Sequence, residues 1–313
     1  MSKLEDLRWV IIASEAEVIK WTKAFDDFNK NISLEVGPNI SSPQTVDVLL
    51  LWNHPKGTLL PFTNAKIYYS LGAGVDHLVN DPRLYPHVPI TRIVDPLLSF
   101  SMSNYILFAV LYYQRKWSKF QQHQRDRKWD HDGPAERAIK VGVLGMGTLG
   151  SDAAKKLKFM GFPVVGYSPT KKSIAEIITY CEGELNSFLS ACNVLVCTVP
   201  YTDQTHGLLS KTLFEQCSQS TYLINVSRGG VQVENDIIDA LDTGKLSGAF
   251  LDVFEQEPLP KNSPLWKNPK VNITPHIASI TNPLAGVKQI MKNVNRLLKN
   301  KELHHTVNKS KGY

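Results

Sequence analysis

Three features of the chain predict an α/β fold made of two doubly wound parallel-sheet domains. Short apolar runs that read as strands alternate with helix-like segments across most of the 313 residues. That alternation is what a parallel sheet covered on both faces requires. It occurs twice, from Arg8 to about Arg92 and again from Ile139 onward, and the length suffices for two domains with buried cores. The third feature is the stretch Ile139-Lys-Val-Gly-Val-Leu-Gly-Met-Gly-Thr-Leu-Gly150, in which an apolar run meets a glycine-rich turn and then a helix-like segment through Met160.

In chain order, Trp9-Val-Ile-Ile-Ala13 reads as a strand and Glu15 to Phe28 as an amphipathic helix. Val46 to Trp52 and Lys66 to Ser70 read as further buried strands, and Leu71-Gly-Ala-Gly-Val-Asp76 as a turn. Ser101 to Phe120 is long, aromatic-rich and free of proline, so the sequence predicts one connecting helix there. Gln121 to Glu136 turns polar around Trp129 and a Gly133-Pro134 break, which fits either a solvated loop or an arm toward a second subunit. The second layer opens at Ile139. Its later strands are expected at Pro163–Tyr167, Asn193–Thr198, Thr221–Asn225, Gly248–Asp252 and Val271–Thr274, with a helix at Glu234–Leu241. A last amphipathic segment runs from Pro283 to about Asn300, before a polar tail.

Composition narrows the function classes. With 42% hydrophobic and 20% charged residues the chain is globular in type. No apolar run reaches the roughly 18 residues that span a bilayer, and Met1 to Arg8 lacks the order of a secretory signal. A cytoplasmic protein with no membrane partner is expected. Four cysteines, Cys181, Cys192, Cys197 and Cys217, form no C-x-x-C pair and suit reduced thiols rather than a disulfide frame or a zinc site, so no metal is expected. The net charge of +6 is scattered rather than striped. No nucleic-acid motif accompanies it, which argues against a nucleic-acid partner and suits small anionic substrates.

Gly145, Gly147 and Gly150 stand in G-x-G-x-x-G spacing between strand and helix. The first allows a tight turn, the second lets backbone approach a pyrophosphate, and the third lets helix pack on strand. The new helix offers free N–H groups to phosphates, so a dinucleotide is the expected cofactor. Its ribose should meet the end of the next strand, Gly166-Tyr-Ser-Pro-Thr-Lys-Lys172. That stretch has hydroxyls at Ser168 and Thr170 and a charge at Lys171, but no acid to take the ribose hydroxyls. NADP(H) is therefore preferred, with NAD(H) possible.

Ligands of open parallel sheets bind outside the carboxyl ends of the strands. Three strands of the second layer deliver Arg228, Glu257 and His276 just past those ends. Carbonyl reduction builds negative charge on oxygen, which must then take a proton, and a histidine can supply it. A neighbouring carboxylate favours the imidazolium and fixes the ring. A guanidinium can hold a 2-oxo carboxylate through its forked donors and polarise the carbonyl. Each residue alone also fits an ordinary loop role; convergence on one edge carries the reading.

These segments resemble the D-isomer-specific 2-hydroxyacid dehydrogenases, through the glycine loop, Asn225-Val-Ser-Arg-Gly-Gly230, Leu251-Asp-Val-Phe-Glu-Gln-Glu-Pro-Leu-Pro260 and Thr274-Pro-His-Ile-Ala-Ser279. Trp52-Asn-His-Pro55, the Leu71–Asp76 turn and Ser263-Pro-Leu-Trp266 are similar to the glyoxylate/hydroxypyruvate reductase group within it. The resemblance implies a Rossmann-type cofactor domain at 102–280 and a flavodoxin-like substrate domain built from 1–101 and 281–313, with the active site in an interdomain cleft. It implies Arg228 on the substrate, His276 as acid/base and Glu257 as its partner. It also implies Ala73 and Gly74 amides on the substrate carboxylate and Trp52 as pocket wall. Asp252 would meet the nicotinamide amide and Ser279 the ring. Met146, Thr148, Leu149, Val199, Pro200, Val226 and Ser227 complete the candidate cofactor contacts. A homodimer through the cofactor domains is implied as well. Two departures stand out: Pro169 replaces an arginine frequent in NADP-preferring relatives, and the crossover lacks the glycine relatives have near Leu97 and carries Asn104 where they have a glutamate. The activity implied is reduction of glyoxylate to glycolate and of hydroxypyruvate to D-glycerate. A dehydrogenase for another 2-oxo acid, or a dinucleotide-sensing regulatory protein of this fold, remains open at this point.

Overall fold

Short apolar runs such as Trp9–Ile12 and Val48–Leu51 form strands whose residues are all buried, whereas the longer run Tyr105–Tyr113 lies within a helix. The computed structural model describes residues 3–131 and 139–309. The Gly133-Pro134 break, Glu136 and the last part of the polar tail, 310–313, lie outside the described residues. The first unit opens with β1 (Trp9–Ile12), α1 (Glu15–Phe28), β2 (Leu34–Val36), β3 (Val48–Leu51), β4 (Ile67–Ser70), α2 (Asp76–Val79) and β5 (Ile90–Arg92). Its five strands are parallel in the order β2-β1-β3-β4-β5, which is the flavodoxin-like order. Every residue of β1, β3 and β4 is buried.

The chain then forms α3 (Pro96–Gln114), α4 (Trp117–Arg125), β6 (Val141–Leu144), α5 (Thr148–Phe159), β7 (Val164–Tyr167), β8 (Ile178–Tyr180), α6 (Leu185–Ser190), β9 (Val194–Cys197), α7 (Lys211–Gln216), β10 (Thr221–Asn225), α8 (Glu234–Asp242), β11 (Leu246–Leu251) and β12 (Val271–Ile273). A second parallel sheet of seven strands results, ordered β12-β11-β10-β9-β6-β7-β8, so that β6 sits where the strand order reverses. Apolar runs here divide between two cores by the two-residue period of a strand. Val141, Val143, Val194, Val196 and Ile224 face one core, with Met102, Ile106, Ala109 and Val110 of α3. Leu144, Leu195, Cys197 and Leu223 face the other, with Phe188, Leu213, Phe214, Ile237 and Leu241 from α6, α7 and α8.

The chain closes with α9 (Pro283–Leu298), which starts on the Asn282 side chain accepting from Leu284 N at 3.0 Å. It returns to the first unit. A Cβ on Gly286 would lie 2.5 Å from the Trp21 ring, so α9 can lie this close to α1 only with glycine there. The two compact units are 1–97 with 280–313, and 98–279.

One expectation needs correction. The single helix expected at Ser101–Phe120 is two, because Lys116 adopts a left-handed backbone (φ 51) that ends α3 and caps α4. Ser99, Ser101, Ser103 and Asn104 interrupt the apolar run in α3, although by length and composition alone this helix is long and apolar enough to cross a bilayer. One face of it is nevertheless core, with Met102, Ile106, Ala109 and Val110 packed on the seven-stranded sheet. All four cysteines are free thiols, and burial pushes Cys192 up to about 12 and Cys197 and Cys217 up to about 11.

Candidate active site

The glycine loop lies at the carboxyl end of β6, where the strand order reverses. Gly145 has φ +108, and a Cβ there would sit 2.8 Å from Val199 N, so the turn needs glycine on both counts. A Cβ on Gly150 would fall 2.0 Å from Gly145 O and 2.6 Å from Thr198 Oγ1, which locks α5 against the loop. Thr198 adds a hydrogen bond from its hydroxyl to Gly145 O at 2.8 Å. Gly147 differs, because a Cβ there would meet nothing within 4 Å. Open space beside an exposed Gly147 and Thr148, at the first turn of a twelve-residue helix, fits a pyrophosphate.

The remaining cofactor candidates divide between surface and core. Thr170 and Lys171 are exposed beside Lys172 just past β7. Ser168 is buried and its hydroxyl donates to Thr170 O at 2.6 Å, so it shapes the basic turn. Leu149 is half-buried against the core. Met146 and Val226 are core side chains, with Met146 packed on Gly166, which leaves their backbones to meet a ligand. Ser227 is buried, and both its N–H and its hydroxyl donate to Asn225 Oδ1. Val199 is half-buried and Pro200 exposed at the end of β9. The Ser279 hydroxyl donates to Leu98 O at 2.9 Å.

Arg228, Glu257 and His276 follow the adjacent strands β10, β11 and β12 on this same edge. His276 Nδ1 lies 2.7 Å from Glu257 Oε2, while Glu257 Oε1 accepts from Phe254 N at 3.0 Å. Partial burial alone would raise the Glu257 carboxyl. The hydrogen bond and charge of His276, the Phe254 N–H and the charge of Arg228 outweigh it and hold Glu257 below the usual carboxylate range. The group is thus an anion at neutral pH. Arg228 is anchored by its own Nη1 donating to Ser227 O at 2.8 Å. His276 occupies a left-handed backbone conformation (φ 56), which costs a non-glycine residue free energy and persists only where surroundings enforce it.

Asp252 enforces it. Its carbonyl accepts from His276 N at 2.8 Å. Its carboxylate accepts from the Thr274 hydroxyl at 2.6 Å and from Ile277 N and Ala278 N, both at 2.8 Å. Burial raises its carboxyl, opposed by those donors. Asp252 therefore braces the histidine segment, whatever else it meets.

A second brace joins the Arg228 and Glu257 loops. Buried Gln232 accepts from Asn225 Nδ2 at 2.8 Å and donates to Val253 O at 3.0 Å. Glu234 and Glu255 each accept the other's backbone N–H, at 2.9 and 2.7 Å. Nothing in the local sequence marks Glu255, because a carboxylate paired with a distant N–H leaves no local pattern. Gly229 lies flush on the neighbouring loop: a Cβ would stand 1.7 Å from Phe254 O. Gly229→Ala should force the loops apart and destabilise the protein by about 1–3 kcal/mol, read as a lowered urea midpoint. An unchanged midpoint would mean the contact yields freely.

In the first unit, Trp52 and the Gly72–Gly74 turn follow the adjacent strands β3 and β4. A Cβ on Gly72 would meet Trp52 Cζ3 at 2.3 Å, so the indole lies on the turn, and His77 meets it edge-on at 5.1 Å. Carbonyls of Ala73 and Gly74 are held by Arg92 Nη1 at 3.2 Å and by the Ser70 hydroxyl at 2.6 Å. A cavity of about 400 Å³ lies at the ends of β1 and β3, lined by Ser14, Glu17, Trp52 and Asn53 among others. That is the reversal point of the five-stranded sheet.

The chain matches the family model described as D-isomer specific 2-hydroxyacid dehydrogenase, NAD binding domain, over residues 107–278. Among solved structures, it is 35% identical to a D-isomer specific 2-hydroxyacid dehydrogenase from Xanthobacter autotrophicus in complex with NADPH and MES, with TM-score 0.89 and 98% of this chain and 100% of that one covered. An NADPH-dependent glyoxylate/hydroxypyruvate reductase from Sinorhizobium meliloti, in complex with NADP and sulfate, is 33% identical at TM-score 0.91, over 98% and 100% of the two chains. A probable 2-hydroxyacid dehydrogenase from Rhizobium etli, in complex with NADP, HEPES and L(+)-tartaric acid, is 32% identical at TM-score 0.88 over the same shares. With the glycine loop at the reversal of a seven-stranded sheet and sequence likeness running almost end to end, the chain belongs to the D-isomer specific 2-hydroxyacid dehydrogenases.

Proposed function

We propose that this chain reduces small 2-oxo acids, glyoxylate to glycolate and hydroxypyruvate to D-glycerate, with NADPH preferred over NADH. The observation that carries the reading is the 2.7 Å pairing of His276 Nδ1 with Glu257, with the Arg228 charge acting on the same carboxylate. When bound, the reduced cofactor supplies a hydride to the carbonyl carbon. Arg228 holds the substrate carboxylate and draws electron density toward the carbonyl oxygen. His276, its Nδ1 engaged by Glu257, gives a proton from Nε2 to that oxygen, and the Glu257 anion stabilises the imidazolium and fixes the ring. Trp52 and the Ala73 and Gly74 amides are assigned to the substrate.

The preference for NADPH is supported by the exposed Thr170-Lys171-Lys172 turn past β7, whose own residues include two lysines and no acid to take a ribose hydroxyl. Relatives solved with NADPH or NADP point the same way. Phe108 of α3, Trp117 of α4 and Trp129 are large apolar side chains left exposed on the cofactor unit, each adding apolar surface there. That surface supports a homodimer through this unit. Free thiols throughout suit a reducing, cytoplasmic setting.

The test is oxidation of NADPH, against NADH, across a panel from glyoxylate and hydroxypyruvate to phenylpyruvate. The expected result is turnover highest on the two smallest acids, with kcat/KM for NADPH at least about tenfold above NADH, the effect of roughly one charged hydrogen bond. Turnover peaking on a larger acid would overturn the substrate assignment. Tight cofactor binding with negligible turnover on every acid would leave a regulatory binder instead.

A further inference from the structure

We infer that Tyr105 and Thr274 are positioning residues that hold His276 for proton transfer, acting through Asp252 and touching neither substrate nor cofactor. The inference rests on His276 being the acid/base proposed above.

Donor counting fixes the direction of the chain of contacts. Thr274 has one hydroxyl hydrogen, and it goes to Asp252 Oδ1 at 2.6 Å. The short contact between Tyr105 and Thr274 must therefore be donated by the phenol. Burial raises the Tyr105 phenol well above its ordinary value, so it stays a donor throughout the working pH range. Tyr105 itself is fixed on α3 and meets Phe250 of β11 edge-on at 5.6 Å. The result is a one-way line, Tyr105 to Thr274 to Asp252, ending on a carboxylate that also holds the amides of Ile277 and Ala278. Asp252 O takes the amide of His276 itself.

Two further hydroxyls attach α3 to the same segment, Ser101 to Ala278 O at 3.2 Å and Ser279 to Leu98 O at 2.9 Å. The strained residue is at the centre of this lattice. A left-handed histidine relaxes once its restraints are cut, and relaxation moves the ring away from Glu257. Misplacement of about 1 Å can cost a hundredfold in rate. Nothing in the local sequence marks Tyr105, which reads as one more aromatic on an apolar helix.

Thr274→Val, Thr274→Ser and Tyr105→Phe should be measured in the full chain with glyoxylate and NADPH. Thr274→Val and Tyr105→Phe should each lose kcat by roughly ten- to a hundredfold, with KM for glyoxylate and NADPH affinity by fluorescence within about twofold of the parent. Thr274→Ser keeps the hydroxyl and should retain kcat within about threefold. Parental kcat in Thr274→Val and Tyr105→Phe, a loss expressed in KM alone, or an equal loss in Thr274→Ser would overturn the inference. If Thr274→Val fails to fold, Tyr105→Phe, which removes one oxygen and keeps the ring contact, decides the matter. His276→Gln is the control: if it retains activity the proposed chemistry fails, and if it is inactive while both other variants are unaffected, only the positioning role fails.

Discussion

Arg228→Ala is expected to abolish reduction of glyoxylate while leaving NADPH affinity close to that of the parent. The guanidinium has two jobs in the proposed reaction, gripping a carboxylate and stabilising charge that grows on the carbonyl oxygen. Losing a single donor aimed at such an oxygen costs about 10²–10³ in rate, and loss of the carboxylate grip adds to this. A fall in kcat/KM of at least about a thousandfold is the expected result. Lysine should rescue little, because one ammonium cannot reproduce two parallel N–H bonds. The fold should tolerate the change, since Arg228 is only partly buried and one of its hydrogen bonds goes to the carbonyl of its own neighbour, Ser227. NADPH oxidation together with fluorescence titration of NADPH separates the two effects. An unchanged kcat/KM would remove Arg228 from the mechanism.

His276→Gln should be nearly as damaging, because a positioned acid/base contributes about 10²–10⁴ in rate and the glutamine amide, though a hydrogen-bond donor, does not ionise to release a proton. The unusual backbone of this residue lets chemistry be separated from stability. Asparagine tolerates a left-handed conformation better than most residues. His276→Asn is therefore expected to be as inactive as His276→Gln yet at least as resistant to thermal denaturation as the parent. Activity near the parental level in either variant would exclude this imidazole as the proton donor. An Asn variant much less stable than the Gln variant would mean that the backbone at φ 56 is not the constraint taken here.

Much of this arrangement was legible in the sequence because it rests on local patterns. Strands buried on both faces announce themselves as unbroken apolar runs, as Val194–Cys197 and Val48–Leu51 do, and all their residues are buried. The glycine loop is legible through spacing. Arg228 and Glu257 are legible because each follows a strand with such a run, and His276 because it follows the short Val-Asn-Ile strand beside them. Strands β2, β5 and β8 were missed for the complementary reason. They have three residues each and lie at the margins of their sheets, and in β2 and β8 none is fully buried. A strand with one neighbour and one wet side needs no apolar run.

Other features depend on tertiary contacts that no local pattern records. Lys116 breaks the long helix without glycine or proline to signal it. Gln232 braces two loops from a position that looks like ordinary polar chain. Asp252 could be placed at a strand end, but its grip on three backbone amides depends on how β11 and β12 pair.

The first unit is built from both ends of the described chain, and this constrains its biosynthesis. Residues 98–279 form a contiguous unit, so a nascent polypeptide can complete that whole sheet as it emerges from the ribosome. The five-stranded sheet emerges earlier yet must wait for α9, whose Val287, Ile290, Met291 and Val294 are buried and whose Gly286 lies under Trp21. Until some 190 further residues have been translated, the α1 side of that sheet lacks its cover. Chaperone demand during synthesis should therefore fall on the segment that is translated first, residues 1–97.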